Sequence, residues 1–423
     1  MPDRVSLNQR VQFGVETTSG TSVPANKLLS CFNIVMGVKP GITTYRGTGR
    51  RFPSVQEENT EYTEIPISGN LDYQGLSYLV SGPWGAATIT TPTNGVNARA
   101  WAWTPPVSGA ITPKTFTIEQ GDGVVRSQKV NYGLVTGFSY KVTRHDTSCA
   151  GTAIAQQLQD GITMTASPTT VALSPVAGKH INLYVDTTST GLGTTLYTRA
   201  FSIDYQYGNG FGPFWPLNRA NLSFGGVADL PPACMVKLLL EADSVGMALL
   251  PHLQVGDFLY PRLDALGPVI DNTQTVTLGT QSSGTFTLTY KGQTTATIVY
   301  NAASGAVQTA LQALSTIGAG NATVAGSAGG PYTVTFAGAL ATDTTVLTGS
   351  GAALTTPANF IITQTQVYFA MQHDMAIKLT NITPFQDIEG IYAVEFEGTI
   401  MEDGAWGSGQ AQKMTLTNQL TAL

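Results

Sequence analysis

Apolar and polar side chains alternate with a period of two along several segments of this chain, and this pattern constrains the fold more than any other feature. Residues 201–207 place Phe, Ile and two Tyr at the odd positions, with Ser, Asp and Gln between them. Residues 392–400 show the same alternation. In residues 367–379, one face carries Val367, Phe369, Met371, Met375, Ile377 and Leu379. Such alternation predicts antiparallel strands with one packed and one solvated face, and hence a mainly β chain.

Helical signals are few and occur in three segments. Residues 71–81 have apolar residues on one side and are followed by a Gly-Pro pair, which is a typical stop. Residues 148–160 are a second candidate. In residues 303–317, apolar residues recur every three or four positions, Ser304 is the predicted N-cap and Gly318 the predicted C-terminal stop.

Charged residues make up only 11% of the 423 residues, against about 25% in a usual soluble domain. A surface with so few charges suits a subunit that is covered by neighbours in an assembly. The formal net charge of -6 argues against an electrostatic clamp for nucleic acid, which would need many cations to offset phosphates.

The charges are also distributed unevenly, and this predicts the domain organisation. Between residues 272 and 365, the only charged side chains are Lys291 and Asp343. This stretch has several strand signals and one helix, and alternating strands of the surrounding type resume after it. We therefore predict a small β-rich domain (272–365) inserted into a larger domain formed by residues 1–271 and 366–423.

Signatures of catalysis are weak. The four histidines are scattered without metal-ligand spacing, and neither a G-x-S-x-G elbow nor a phosphate-binding P-loop occurs. The glycine-rich residues 208–212 lead into Pro213 and are interpreted as a rigid loop. The chain is thus predicted to be no enzyme and to need no cofactor or metal. No signal peptide, membrane span or cysteine framework is evident, so we expect a protein made in the cytosol without membrane insertion.

Glu395 and Glu397 are the candidate functional residues, because they share one face of the strongly alternating segment 392–400. Three interpretations are open for them. They could belong to a solvated outer sheet face, line an acidic channel, or form the carboxylate pair of a glycosidase.

Several segments resemble tail tube proteins of long-tailed bacteriophages. No segment is a strict motif, and the similarity lies in their order and spacing. They are residues 12–21 (QFGVETTSGT), 49–53 (GRRFP), 69–73 (GNLDY), 76–82 (LSYLVSG), 210–218 (GFGPFWPLN) and 239–243 (LLEAD), with 367–423 similar to the closing strands.

The predicted insert has a resemblance of its own. Residues 285–295, 298–303, 307–311 and 329–336 are similar to a domain that recurs in structural proteins of phages of actinobacteria. This similarity indicates a phage particle more specifically than it indicates a part of the particle.

These resemblances imply a β-sandwich-like or barrel-like tube fold with a flanking helix. Six subunits would form a ring with a continuous inner β-barrel, and the rings would stack into the tail tube, with tape measure and tail terminator proteins as further partners. Double-stranded DNA would pass through without specific binding, Glu395 and Glu397 would be candidates for the lumen lining, and the insert would project outwards. The protein would be assembled in the host cytoplasm and reside in the virion tail.

A competing reading is a tail-tip or capsid-decoration protein that binds the host surface, for which Trp101 and Trp103 could contact carbohydrate. The sequence leaves open the host, the type of tail, the lumen diameter and any ligand of the insert.

Overall fold

The computed structural model describes residues 9–93, 95–122, 126–217, 221–407 and 409–423. The prediction of a mainly β chain with few helices is confirmed, and the largest sheet curls into a half-barrel. Numbered in chain order, the strands of the first half are β1 (Arg10–Val15), β2 (Lys27–Leu29), β3 (Phe32–Ile34), β4 (Gly37–Tyr45), β5 (Val55–Asn70), β6 (Thr88–Thr90), β7 (Arg99–Trp103), β8 (Phe116–Gly121), β9 (Ser127–Thr143), β10 (Thr147–Ala155), β11 (Gln159–Asp160), β12 (Thr169–Val171), β13 (Ile181–Asp186) and β14 (Ala200–Gly208).

The second half of the chain continues this numbering. Its strands are β15 (Phe211–Phe214), β16 (Gly226–Asp229), β17 (Ala233–Glu241), β18 (Tyr260–Thr277), β19 (Gly284–Tyr290), β20 (Gln293–Thr294), β21 (Ile298–Val299), β22 (Ala322–Ala325), β23 (Tyr332–Phe336), β24 (Thr348–Leu354), β25 (Ile361–Met375), β26 (Ile377–Ile382), β27 (Gln386–Ile388), β28 (Ile391–Ile400) and β29 (Gln412–Asn418). The α-helices are α1 (Leu76–Trp84), α2 (Leu250–Val255) and α3 (Ser304–Gln312).

The largest sheet branches at the long strand β9. One path through it runs β12–β2–β1–β8–β9–β14–β17–β28–β26, and β9 also pairs with β10, which continues through β5 to β3 and β4. All of these pairings are antiparallel except β12 with β2. Strands β4 and β26 therefore lie at opposite ends of the route β4–β5–β10–β9–β14–β17–β28–β26.

A second sheet packs against the first, in the order β22–β23–β18–β25–β29–β7–β6 with β13 beside β18. The chain passes from this sheet to the large one at a single residue, Ala376, between β25 and β26. The apolar face predicted for residues 367–379 continues across this break. Val367 and Met375 before it and Ile377 after it are all buried in the core that the two sheets share. One predicted strand is thus two strands in two sheets.

Helix α1 differs from its prediction at both ends. It begins at Leu76 rather than Leu71, and Pro83 lies inside its last turn. All nine of its residues are buried, which explains why amphipathic spacing was a poor guide to it. Gly82 allows the close packing, because a Cβ on it would lie 2.6 Å from Val135 Cβ in β9.

The helix predicted at residues 148–160 is wrong. Most of this segment is β10, which pairs with β5 on one side and β9 on the other. The glycine-rich stretch interpreted as a loop likewise contains a strand, β15, which forms a hairpin with β16. In both places, pairing with neighbouring strands overrides the local signal.

Helix α3 is shorter than predicted and ends at Gln312, with Val307 and Leu311 buried within it and Leu314 and Ile317 buried in the turns that follow. The N-terminus of α3 differs from the prediction, because Ala303 rather than Ser304 is the N-cap residue and no side-chain cap hydrogen bond forms. Gly318, the predicted stop, lies beyond the end of α3; it has a positive φ of 77° and its amide donates to Leu314 O at 2.8 Å, so it closes a later turn rather than the helix.

Two large buried clusters organise the chain. The main core combines both sheets and α1. The second core draws its fully buried residues from positions 276–354, around α3 and strands β19, β22 and β23. Strands β18 and β25 connect the two cores as one ladder, paired from Arg262 with Asp374 to Thr277 with Ile361. The division into residues 1–271, 272–365 and 366–423 stays a prediction, and its boundaries fall within these paired strands.

Candidate functional site: the charged face and the arm of the large sheet

The central strands of the large sheet have two chemically distinct faces. Towards the main core they present buried residues, including Tyr140, Ile203, Tyr205, Leu238 and Phe396. The other face alternates with these residues and carries polar and charged side chains. This two-faced character follows directly from the period-two pattern of the sequence.

Charges of alternating sign form a row across four neighbouring strands on the polar face. Lys141 in β9 is the register partner of Asp204 in β14, and Asp204 is the partner of Lys237 in β17. Lys237 is in turn opposite Glu397 in β28. We call these four residues together with Glu395 the charged row. Opposite charges on adjacent strands attract each other, so the row supports this strand register.

Glu395 and Glu397 share one lysine within the charged row. Lys237 Nζ lies 3.6 Å from Glu395 Oε1 and 3.9 Å from Glu397 Oε2. All three side chains are partly exposed. The two carboxylates are therefore part of a mixed-charge face and are partly neutralised by Lys237. Whether they line a lumen stays a prediction.

Asp204 is a half-buried member of the charged row. Burial raises its pKa, while Lys141 and Lys237 act in the opposite direction and Glu395 adds to the increase. The two lysines thus hold a negative charge at a position where burial disfavours it. Sequence reasoning identified the two glutamates and missed Asp204 and both lysines, although Asp204 and Lys237 occupy the polar positions of alternating segments.

A second polar cluster lies behind the charged row, inside the main core. Tyr140 Oη is 2.7 Å from His373 Nδ1, and the Tyr205 hydroxyl donates to Gln412 Oε1 at 2.9 Å. His373 is completely buried, and burial lowers its pKa to about 3, so it is neutral at physiological pH. The Trp84 ring of α1 contacts its imidazole edge-on at 5.7 Å. Sequence analysis missed this cluster, yet His373 occupies an odd position on the apolar face of residues 367–379.

A long exposed hairpin extends from the edge of the large sheet. It consists of β4 and the first half of β5, paired from Gly37 with Glu64 to Tyr45 with Val55. Every residue from 38 to 59 is exposed except Gly41, and we call this segment the arm. Its exposed apolar residues are Val38, Ile42, Tyr45, Phe52 and Val55. The arm thus presents apolar surface to solvent without a core beneath it.

Trp101 and Trp103 do not form an exposed platform for carbohydrate. Both are buried in β7, with their rings stacked at 5.9 Å, and Trp101 Nε1 donates to Leu420 O at 3.0 Å. They belong to the main core, so the feature that suggested carbohydrate binding is absent from the surface.

Other site chemistry is limited in the part of the chain that the structure describes. Over those residues, no group of three or more His, Cys, Asp or Glu side chains could hold a metal ion. Over the same residues, no helix is long and apolar enough to cross a membrane.

Comparisons with known proteins give little further information. No protein-family model and no curated protein sequence matches the chain. One similar solved structure is a chain from Mycobacterium phage Patience, with 13% sequence identity and a TM-score of 0.19, covering 56% of this chain and 82% of that one. A TM-score this low does not establish a shared fold, and no functional conclusion is drawn from it.

Proposed function

We propose that this protein is a tail tube protein of a long-tailed bacteriophage, a structural subunit that forms hexameric rings which stack into the conduit for genome delivery. The observation that carries the proposal is the arm, which exposes apolar residues over its whole length. The proposal also rests on the sequence resemblance to tail tube proteins and on the half-barrel shape of the large sheet.

An exposed hairpin of this length needs a partner. A two-stranded hairpin is at best marginally stable in water by itself, and three or more strands or a packed face are needed for stability. Exposed apolar patches and unpaired strand edges also favour association. Burial of the arm against neighbouring copies resolves both problems and explains the low content of charged residues.

The polar face of the large sheet suits the inside of a conduit. A lumen rich in unpaired cations would hold DNA, because each contact to a phosphate adds affinity. In the charged row, Lys141 and Lys237 lie beside carboxylates and are partly neutralised by them. On this proposal, Glu395 and Glu397 line the bore beside Lys237, and DNA passes without being bound.

The remaining parts of the proposal follow from this arrangement. Residues 272–365 form an outward-projecting domain, which keeps the second core out of the bore. The protein has no catalytic activity and no membrane insertion. Its partners are further copies of itself and the tape measure and tail terminator proteins. It is assembled in the host cytoplasm and resides in the virion tail.

Electron microscopy of the purified protein tests the proposal. We expect hollow tubes with a regular axial repeat and six subunits per ring. In an armless variant, residues 43–57 are replaced by Asn-Gly, which closes a two-residue hairpin turn after Ile42. This variant should fold, as judged by circular dichroism, but should not form tubes.

A matched control removes the second core instead of the arm. Replacing residues 278–360 by a short turn leaves β18 and β25 paired up to Thr277 and Ile361, and this variant should still form tubes. Wild-type protein that remains monomeric at high concentration, or tubes that form equally well without the arm, would contradict the proposed function.

A further inference from the structure

Two stretches of sequence near the two ends of the large sheet carry charges of opposite sign. Residues 17–56 contain five cations (Lys27, Lys39, Arg46, Arg50 and Arg51) and no carboxylate. Residues 379–412 contain six carboxylates (Asp387, Glu389, Glu395, Glu397, Glu402 and Asp403) and no lysine or arginine. The first stretch includes β4 at one end of the sheet, although the partner strand β5 carries Glu57, Glu58, Glu61 and Glu64. The second includes β27, β28 and β26 from Leu379 onward, with Lys378 of β26 just before it.

The basic stretch, residues 17–56, includes the tip of the arm. Arg46, Arg50 and Arg51 follow one another around this tip, flanked by the aromatic residues Tyr45 and Phe52, and all five residues are exposed. The Phe52 side chain is 73% exposed. The nine residues of β4 alone span about 30 Å at roughly 3.3 Å per residue, so the tip lies well away from the body of the sheet.

The acidic stretch, residues 379–412, contains a turn that carries negative charges and aromatic residues. We call residues 385–392, between and around β27 and β28, the acidic turn. Asp387 and Glu389 are exposed, and the rings of Phe385 and Tyr392 lie 6.4 Å apart between centroids with an interplanar angle of 57°. Tyr392 is 73% exposed. Two aromatic rings and two carboxylates are therefore available on one exposed hairpin.

We propose that the arm tip of one copy binds the acidic turn of a second copy, with the arginines facing Asp387 and Glu389 and the two aromatic pairs in contact. This inference rests on the proposed function, to which it adds the two surfaces that meet. The surfaces differ from one another, so a contact made in one direction only is heterologous, and its repetition generates a ring or a helix. Aromatic residues and arginine are also the side chains most enriched at energetically important interface positions.

Charge reversal at single positions tests this contact. The variants are Arg50→Glu at the arm tip, Glu389→Arg at the acidic turn, and the two combined. Asp387 is left unchanged, because its Oδ1 accepts a hydrogen bond from Gly390 N at 2.8 Å and supports the turn. Lys179→Glu is the matched control, since Lys179 is an exposed cation outside both surfaces.

Two measurements are needed for each variant. Sedimentation velocity over a concentration series reports self-association whether or not tubes form, and electron microscopy reports tubes. We expect each single reversal to raise the concentration needed for association by at least about tenfold, because it places like charges together. The combined variant should return close to wild type, and Lys179→Glu should not differ from wild type. Circular dichroism checks that each variant is folded.

The outcomes separate this inference from the proposed function. Tubes that form in every variant at the wild-type concentration leave the tail tube proposal standing and overturn the docking contact. A second outcome is that the single reversals weaken self-association and the combined variant restores it, but no variant and no wild-type protein forms tubes. This outcome supports the docking contact and contradicts the tail tube proposal. If Arg50→Glu assembles normally and instead loses binding to short duplex DNA, the arm tip is a nucleic-acid contact and the inference is wrong.

Discussion

The hydroxyl of Tyr140 lies 2.7 Å from His373 Nδ1 and joins the large sheet to the second sheet inside the main core. Burial lowers the pKa of His373 from 6.5 to about 3, so between these pH values the unfolded chain takes up a proton that the folded chain excludes. Stability from this site is therefore complete above pH 6.5 and is lost as the pH falls towards 3.

We predict that the free energy of unfolding decreases as the pH falls below 6.5, by at most about 1.4 kcal/mol per pH unit from His373. Urea unfolding in the upper part of this range, above the titration of ordinary carboxylates, measures the slope. His373→Gln should flatten it, and His145→Gln, which alters an exposed histidine, should not. An equal slope in wild type and His373→Gln would contradict the prediction.

Asp271 fastens the loop before β7 to β18. Its carboxylate accepts from Val96 N at 2.9 Å, from Asn97 N at 3.0 Å and from Ala98 N at 2.9 Å, and it is buried. We predict that Asp271→Asn lowers the free energy of unfolding by about 3 kcal/mol, because the amide removes the charge and turns a donor towards backbone donors. Chemical denaturation measures this. Asp146→Asn, at an exposed site, should change stability by less than about 0.5 kcal/mol.

Two glycines in helices should respond oppositely to alanine. A Cβ at Gly82 in α1 would meet Val135 O at 2.9 Å and Val135 Cβ at 2.6 Å, so Gly82→Ala should destabilise the protein by about 1–3 kcal/mol. Gly305 in α3 has nothing within 4 Å of that position, and Gly305→Ala should stabilise by up to about 1 kcal/mol through helix propensity. Thermal unfolding measures the stability of both variants. A loss of stability in Gly305→Ala as well as in Gly82→Ala would contradict the prediction for Gly305.

Lys237 neutralises two carboxylates in the charged row. We predict that Lys237→Gln costs about 0.5–1 kcal/mol of stability and raises the pKa of Asp204 further, because one of its two lysine neighbours is removed. Urea unfolding at low and high salt tests the electrostatic origin, since screening should reduce the difference between variant and wild type. A difference that is independent of salt would indicate lost packing of the lysine stem instead.

Sequence patterns located the strands whose two faces have different environments. Residues 201–207 and 392–400 lie within β14 and β28 because one side of each packs on the core and the other does not. The same reasoning failed for residues 148–160, where the exposed residues Ser148, Ala150 and Thr152 of β10 are too small and too weakly polar to contrast with the buried ones. It also gave no sign of the arm, whose two strands are exposed on both faces.

The contacts that define the charged row and the buried cluster join residues far apart in the chain. Asp204 and Lys141 are neighbours only because β14 pairs with β9, and Tyr140 reaches His373 only because two sheets stack. Periodicity places a residue on a face of its own strand, but the choice of neighbouring strand depends on the packing of the whole core. Glu395 and Glu397 could thus be identified as candidates, while their lysine partner could not.

The ladder between β18 and β25 runs from the main core into the second core, with register shifts between Leu266 and Asp271. A flexible linker would let the second core swivel, whereas a paired ribbon resists twisting and bending through its backbone hydrogen bonds. The second core is therefore held on a paired ribbon, and in the proposed tube each copy would present it at a similar angle. A regular pattern of such projections would give the assembled particle an outer surface with the same periodicity as its inner wall.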